Sequence, residues 1–261
     1  MEILNKKTDL NHFFSLLKNA EDRVLMLDYD GTLAPFHPDR NKAYPYPKAA
    51  EIVNRILVDK SCRVIIISGR TINDLLNLIK FESMPEIWGS HGYEKQLPDG
   101  ARFNEPVSNE VKETIHDYEE AFRIEDLEKY CEKKSFGIAV HWRGCSAGQI
   151  DQIKTKVDQI SSKIKNQSVS VADFDGGKEI RINGIDKGTA VNKIMSTAMA
   201  GTVSAYLGDD LTDEDAFRQI GDTGLKVLVR DEPRETLADI QLTPPDELVW
   251  FLKKWREFCR Q

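Results

Sequence analysis

An α/β protein, with a parallel sheet flanked by helices and a smaller α+β module inserted into it, is predicted by three features of the 261-residue chain. Apolar runs at Val24–Leu27, Val64–Ile67 and Val203–Leu207 have no polar alternation, which suits strands buried on both faces of a parallel sheet. Helical periodicities follow them. From about Arg102 the pattern breaks into short mixed elements dense in Glu, Lys and Asp, and parallel-sheet pattern returns only after it, so the stretch reads as an insertion and not a tail. The expected domains are residues 1–100 and 185–261 as two parts of one core, with 101–184 as the inserted module.

Composition narrows the function. An apolar fraction of 40%, 30% charged residues and a net charge of -7 give no general attraction to nucleic acid or to an anionic membrane. Met1 to Asp9 lacks an apolar targeting segment, and no later run approaches the roughly 20 residues that span a bilayer. A cytoplasmic protein is expected. Cys62, Cys131, Cys145 and Cys259 lack C-x-x-C spacing, which argues for reduced, mostly buried thiols over zinc or a disulfide framework.

The elements follow in order. Leu10 to Lys18 has apolar residues at Leu10, Phe13, Phe14 and Leu17, the spacing of an amphipathic helix. The first buried strand ends in Asp28-Tyr29-Asp30-Gly31-Thr32, at the sheet edge where open α/β proteins bind ligands. Asp28 and Asp30 point the same way while the backbone is extended, and Gly31 permits a sharp turn. Such a pair repels itself unless a cation, a proton or a lysine compensates, so a hard metal such as Mg²⁺ is expected. A calcium loop is rejected: its turn glycine would fall at Leu33 and its closing glutamate at Asp39, with Pro35 and Pro38 inside.

Pro35 to Pro47 is a proline-rich loop, in which His37 reads as solvated. After a helix over Lys48–Leu57 and the second strand, Ser68-Gly69-Arg70-Thr71 opens a helix over Ile72–Ile79. Ser68 fits an N-cap, and beside the acids of the first strand a helix N-terminus also offers its N–H groups to a phosphate. Ile87 to Glu94 reads as a short strand and a glycine-rich turn, with His91 a hydrogen-bonded structural residue or a ligand. In the insertion we expect helices over Ser108–Phe122 and Ala147–Ile164, and strands over Phe136–Arg143, Val169–Ala172 and Glu179–Ile182.

The core resumes at Asp186-Lys187-Gly188-Thr189, which opens a helix to about Met199. A lysine at a helix start opposes the macrodipole, so Lys187 wants a negative partner. Val203–Leu207 ends in Gly208-Asp209-Asp210-Leu211-Thr212-Asp213-Glu214-Asp215. The acids of the two strand ends would raise one another's pKa and cost stability without a cation between them, which implies a shared metal. Val227–Val229 and a helix over Asp246–Phe258 close the chain.

Asp28-x-Asp30-Gly31-Thr32, Ser68, Lys187 and Gly208-Asp209-Asp210, in that order, resemble the haloacid dehalogenase superfamily of phosphatases. The string Gly208 to Asp215 with Phe217, together with Gly89-Ser90-His91-Gly92-Tyr93-Glu94, resembles the trehalose-6-phosphate phosphatases within it. The likeness runs nearly end to end, because the insertion carries Glu132-x-Lys134, His141-x-Arg143 and Glu179-x-Arg181. It departs at Ile182, where a proline is usual, and at Asp173 to Gly177, which replaces a Gly-Lys pair; both bear on the sugar and leave the superfamily untouched.

The resemblance implies a Rossmann-like core with an inserted cap domain, and a phosphoric monoester hydrolase releasing trehalose through an aspartyl-phosphate. Asp28 would be the nucleophile and Asp30 the acid and base, its backbone carbonyl reaching a Mg²⁺ held by Asp28 and Asp209. Ser68 and Lys187 would bind the phosphoryl group, and Asp210 and Asp213 would orient metal waters or bind the ion directly. Gly69, Arg70, Glu132, Lys134 and Glu179 would contact substrate, while His141 and Arg143, sharing one face of a strand, would contact it or brace the cap. The alternatives are a phosphatase for another sugar or glycosyl phosphate, a phosphomutase, and an idle sugar-binding or regulatory partner of a trehalose-phosphate synthase. The intact catalytic set speaks against the last. A monomer is expected, with association with such a synthase left open.

Overall fold

The computed structural model describes residues 1–134, 137–221 and 223–260, so Phe136, expected to begin a strand, lies outside the described residues. The chain divides into two compact units, Met1–Asn104 with Asp186–Gln261, and Glu105–Ile185. Along the first part of the larger unit run β1 (Glu2–Ile3), α1 (Leu10–Asn19), β2 (Arg23–Leu27), α2 (Pro47–Asp59), β3 (Arg63–Ile67), α3 (Ile72–Leu78), β4 (Glu86–Gly89), β5 (Glu94–Gln96) and β6 (Arg102–Asn104). The smaller unit holds α4 (Asn109–Ile124), β7 (Cys131–Lys134), β8 (Gly137–His141), α5 (Ala147–Lys163), β9 (Val169–Phe174) and β10 (Gly177–Ile182). The larger unit then resumes with α6 (Lys187–Ser196), β11 (Val203–Gly208), α7 (Asp213–Gln219), β12 (Gly224–Val229), β13 (Ile240–Leu242) and α8 (Asp246–Cys259).

The sheet of the larger unit has the order β1-β13-β12-β11-β2-β3-β4-β5-β6. Strands β13 through β4 are mutually parallel, and β1, β5 and β6 are antiparallel at the edges. The first unit boundary falls after Asn104 and not after residue 100, because β6 pairs with β5 through Glu94↔Asn104 and so belongs to this sheet. Two apolar layers cover the sheet. Phe13, Leu17, Ile56, Leu75, Phe251 and Trp255 pack on one face, while Val191, Ile194, Phe217 and Ile220 pack on the other.

The chain leaves β2 toward β3 and β4 on one side, and returns after the smaller unit to lay β11 on the other side of β2. Strand order therefore reverses between β2 and β11, and the carboxyl ends of those two strands form the crevice where ligands of open α/β sheets bind. Register fixes the crevice: Leu207 pairs with Leu27, and the Asp28 N–H donates to the Leu207 carbonyl at 2.8 Å. No helix among the described residues is long and apolar enough to cross a membrane.

Candidate active site

Each of the two strands ends in a buried aspartate. Asp28 follows β2 directly and Asp209 follows Gly208, the last residue of β11; they are 4% and 3% exposed. Gly31 is needed between them, because its φ is +83° and a Cβ there would meet Asp209 Oδ2 at 2.1 Å. Asp213, at the start of α7, is fully buried and offers a carboxylate oxygen within 4.8 Å of those of Asp28 and Asp209.

A buried cluster of carboxylates needs positive charge, and Lys187 provides it. Its Nζ donates to Asp28 Oδ1 at 2.8 Å and to Asp213 Oδ1 at 2.7 Å, so the lysine that opposes the dipole of α6 has two negative partners. Burial works against the charge on Lys187, but Asp213 and Asp28 outweigh it and hold the ammonium above its ordinary range. One lysine does not balance three acids. Burial pushes the Asp28 carboxyl up to about 7 against the pull of Lys187, with the charge of Asp213 adding to the rise. Asp209 is driven well above the usual carboxylate range, first by burial and then by Asp28 and Asp213.

The three acids differ in what already occupies them. Asp213 Oδ1 accepts from Lys187 and from the Tyr206 hydroxyl at 2.5 Å, and its Oδ2 accepts from the backbone N–H groups of Asp209 at 3.0 Å and Asp210 at 2.9 Å. Four donors use its lone-pair sites, so Asp213 ties the turn after β11 to the lysine. Asp209 Oδ1, by contrast, is buried without a hydrogen-bond partner among the described residues. An orphaned carboxylate oxygen beside a second buried carboxylate, in an all-oxygen set, fits a hard divalent cation.

Asp30 stands apart from this cluster. Both its oxygens accept from Arg70, from Nε and from one terminal nitrogen at 2.6 Å each, and a further guanidinium nitrogen donates to the Arg40 carbonyl at 2.9 Å. The Asp30 charge still reaches Asp28 and adds to the rise of that carboxyl, while β2 itself ends at Leu27, before either acid. Ser68, just past β3, is buried; its Oγ accepts from the Arg70 N–H at 3.1 Å, so it serves the turn and not as the N-cap of α3, which is Thr71. Gly69 has no room for a side chain, since a Cβ would lie 2.6 Å from Nε2 of the buried His91.

In the smaller unit a four-stranded sheet runs β7-β8-β10-β9, with Ile138, Val140 and Ile180 turned into an apolar cluster with residues of α4 and α5. Period-two alternation gives Glu132, Lys134, Ala139, His141 and Glu179 the opposite face, and register puts Glu132, Ala139 and Glu179 in one row. Lys134 Nζ donates to Glu179 Oε1 at 2.7 Å, and His141 Nε2 lies 2.9 Å from Glu132 Oε2. Arg143 departs from the expected strand: β8 ends at His141, and the Arg143 guanidinium turns to the Asp175 carbonyl at 2.6 Å across Gly176.

The trehalose-phosphatase family model matches residues 26–245. The chain belongs to the trehalose-phosphatase family. A trehalose-phosphate phosphatase of Mycobacterium ulcerans is 29% identical over 250 residues, covering 87% of this chain and 60% of that protein, so the chain spans about three-fifths of its relative. The C-terminal domain of a trehalose-6-phosphate phosphatase of C. albicans has the same fold, at a TM-score of 0.76, 20% identity and coverage of 100% and 99% of the two chains. A haloacid dehalogenase-like hydrolase of B. subtilis shares it more distantly, at a TM-score of 0.60, 13% identity and coverage of 88% and 98%.

In this trehalose-phosphatase family member the crowd of acids after β11 is smaller than its sequence suggests. Glu214 is paired with Arg234 and accepts from Thr236 Oγ1 and the Leu237 N–H, and Asp215 is paired with Arg218. Asp210 Oδ1 caps the Leu211 N–H at 2.6 Å. Two participants carry no sequence signal: Tyr206 reads as one more residue of a buried strand, and Arg234 lies in a loop beyond β12. Arg234 donates to the carbonyls of Asp209 at 3.3 Å and Asp210 at 2.8 Å, clamping the turn.

Proposed function

We propose that the chain hydrolyses trehalose 6-phosphate to trehalose and inorganic phosphate, with Asp28 as nucleophile. The observation that carries this reading is the Asp28–Lys187–Asp213 arrangement beside the orphaned oxygen of Asp209, within a chain of this family. A carboxylate oxygen of Asp28 attacks phosphorus and the bond to the sugar oxygen breaks, leaving an aspartyl-phosphate. Asp30 gives the departing alkoxide its proton, then takes one from the water that attacks phosphorus and frees Asp28. Lys187 and the Ser68 hydroxyl contact the phosphoryl oxygens as charge moves onto them. Asp28 and Asp209, with the Asp30 carbonyl, would hold Mg²⁺, which when bound offsets negative charge on the phosphoryl group. Glu132, Lys134 and Glu179 are assigned to the sugar hydroxyls, as acceptors and donor. All the acids, the lysine and the serine come from one chain, so the reading needs neither a second copy nor a synthase partner.

The bidentate pair supports a second role for Arg70 beside the substrate contact expected of it: it aims Asp30. Arg70→Lys keeps the charge and loses the fork, so kcat should fall about tenfold with little change in KM. A rise in KM alone would return Arg70 to substrate binding. The ion has a readout separate from activity. Saturating Mg²⁺ at about a hundred times its Kd should stabilise the protein by about 2.7 kcal/mol, seen as an upward shift in melting temperature, and Asp209→Asn should abolish the shift.

Phosphate release from a panel of sugar phosphates, with and without Mg²⁺, tests the whole reading. Trehalose 6-phosphate should be turned over fastest, and only with the ion. Faster turnover of a glycosyl glycerate or glycerol phosphate would replace the sugar. An isomerised phosphosugar formed without free phosphate would make the protein a mutase.

A further inference from the structure

The turn that carries Asp209 is held from two directions. Asp209 and Asp210 each bring one backbone N–H and one carbonyl, and side chains engage all of these groups. Asp213 Oδ2 accepts from both N–H groups, at 3.0 and 2.9 Å. From the other direction Arg234 Nε donates to the Asp209 carbonyl at 3.3 Å, and a terminal nitrogen of the same guanidinium donates to the Asp210 carbonyl at 2.8 Å. The turn cannot shift without breaking one of these bonds. Asp213 is local, being the first residue of α7, whereas Arg234 reaches back 25 residues from the segment between β12 and β13.

Arg234 is itself fixed. Its other terminal nitrogen pairs with Glu214 and donates to the Glu235 carbonyl at 2.9 Å. Glu214, in the first turn of α7, also accepts from Thr236 Oγ1 at 2.7 Å and from the Leu237 N–H at 2.8 Å, so the segment around Arg234 is fastened to the helix that follows the turn. The side chains of Arg234 and Glu214 are 13% and 12% exposed, which leaves little room for salt to screen the pair. The planar fork is what makes the latch: a guanidinium presents donors to two carbonyls and a carboxylate at once, and an ammonium, with its donors on one nitrogen, does not.

The backbone of Asp209 is thus engaged while its Oδ1 is buried without a hydrogen-bond partner among the described residues. The carboxylate is positioned through its turn. Such rigidity acts differently on different ions: Mg²⁺ demands near-ideal octahedral geometry at about 2.0–2.1 Å, whereas Ca²⁺ accepts flexible geometry at about 2.3–2.6 Å. We propose that Arg234 is a positioning residue that sets the affinity of the site for Mg²⁺ and its preference over Ca²⁺, by keeping the Asp209 turn rigid. The inference rests on the assignment of a cation to Asp28 and Asp209 made above, and not on the identity of the sugar.

Calorimetric titration of the whole chain, freed of metal, with MgCl₂ and separately with CaCl₂ tests it in the absence of substrate. Arg234→Lys keeps a cation beside Glu214 and loses the fork, so Mg²⁺ should bind about tenfold more weakly while Ca²⁺ changes by less than about threefold. Arg234→Met combined with Glu214→Gln removes both members of the pair without stranding a buried charge, and should lose the preference in the same way. Arg218→Met, which breaks the more exposed pair with Asp215 on the same helix, should bind both ions as the wild type does. Undiminished Mg²⁺ binding in both Arg234 variants, or an equal loss for the two ions, would overturn the proposal and leave the cation assignment standing. A wild type that binds neither ion would overturn both.

Discussion

Asp28→Asn should lose turnover of trehalose 6-phosphate by at least about a thousandfold while the protein stays folded. The substitution keeps the shape of the side chain and removes a carboxyl that burial already pushes up to about 7, so no new buried charge is created. The amide still accepts from Lys187 through its oxygen. Its nitrogen and oxygen are too weakly nucleophilic to attack phosphorus, so chemistry fails while packing survives. Melting temperature and phosphate release, measured on one preparation, separate the two. Near-native turnover would remove Asp28 from the role of nucleophile; a variant that does not fold would leave the test to Asp28→Glu, which displaces the carboxylate and should be as inactive.

The second large effect is on stability as well as rate. Lys187→Met removes the single ammonium between Asp28 and Asp213 and leaves two buried carboxylates facing each other. Breaking a buried ion pair from one side costs about 3–5 kcal/mol, which at about 2–4 °C per kcal/mol is a fall of roughly 10 °C in melting temperature. Turnover should fall by about a hundredfold or more, because the phosphoryl charge loses its fixed cation. The cause is checked by a cycle. If the loss comes from uncompensated carboxylates, Asp28→Asn combined with Lys187→Met should be less destabilised than the sum of the single changes by about 1 kcal/mol or more. Strict additivity would mean that Lys187 does not offset the charge of Asp28 and that its pair with Asp213 carries the loss.

The central parallel strands are readable because burial on both faces removes alternation, leaving runs such as Val64–Ile67 that are unlike anything at the surface. The outer strands β1, β13, β5 and β6 have two or three residues each, too few to show a period. In the site, Lys187 is legible through a local conflict: a cation at a helix start has to answer to something, and the partners are Asp28 and Asp213. Residue type alone does not separate Asp213 from Asp209, since both are acids after one strand, and only the family resemblance set them apart in sequence. In the structure the four donors on Asp213 and the orphaned oxygen on Asp209 distinguish an anchor from a candidate ligand.

The covalent step is the claim on which the rest turns, and it can be trapped. Asp30→Asn should still be phosphorylated by an aryl phosphate whose leaving group needs no proton, yet lack the base that discharges it. Acid quenching followed by borohydride reduction and peptide mass analysis would find residue 28 converted to homoserine in close to one chain per site. Steady release of phosphate from this variant with residue 28 unmodified, or the label on any other residue, would contradict the account.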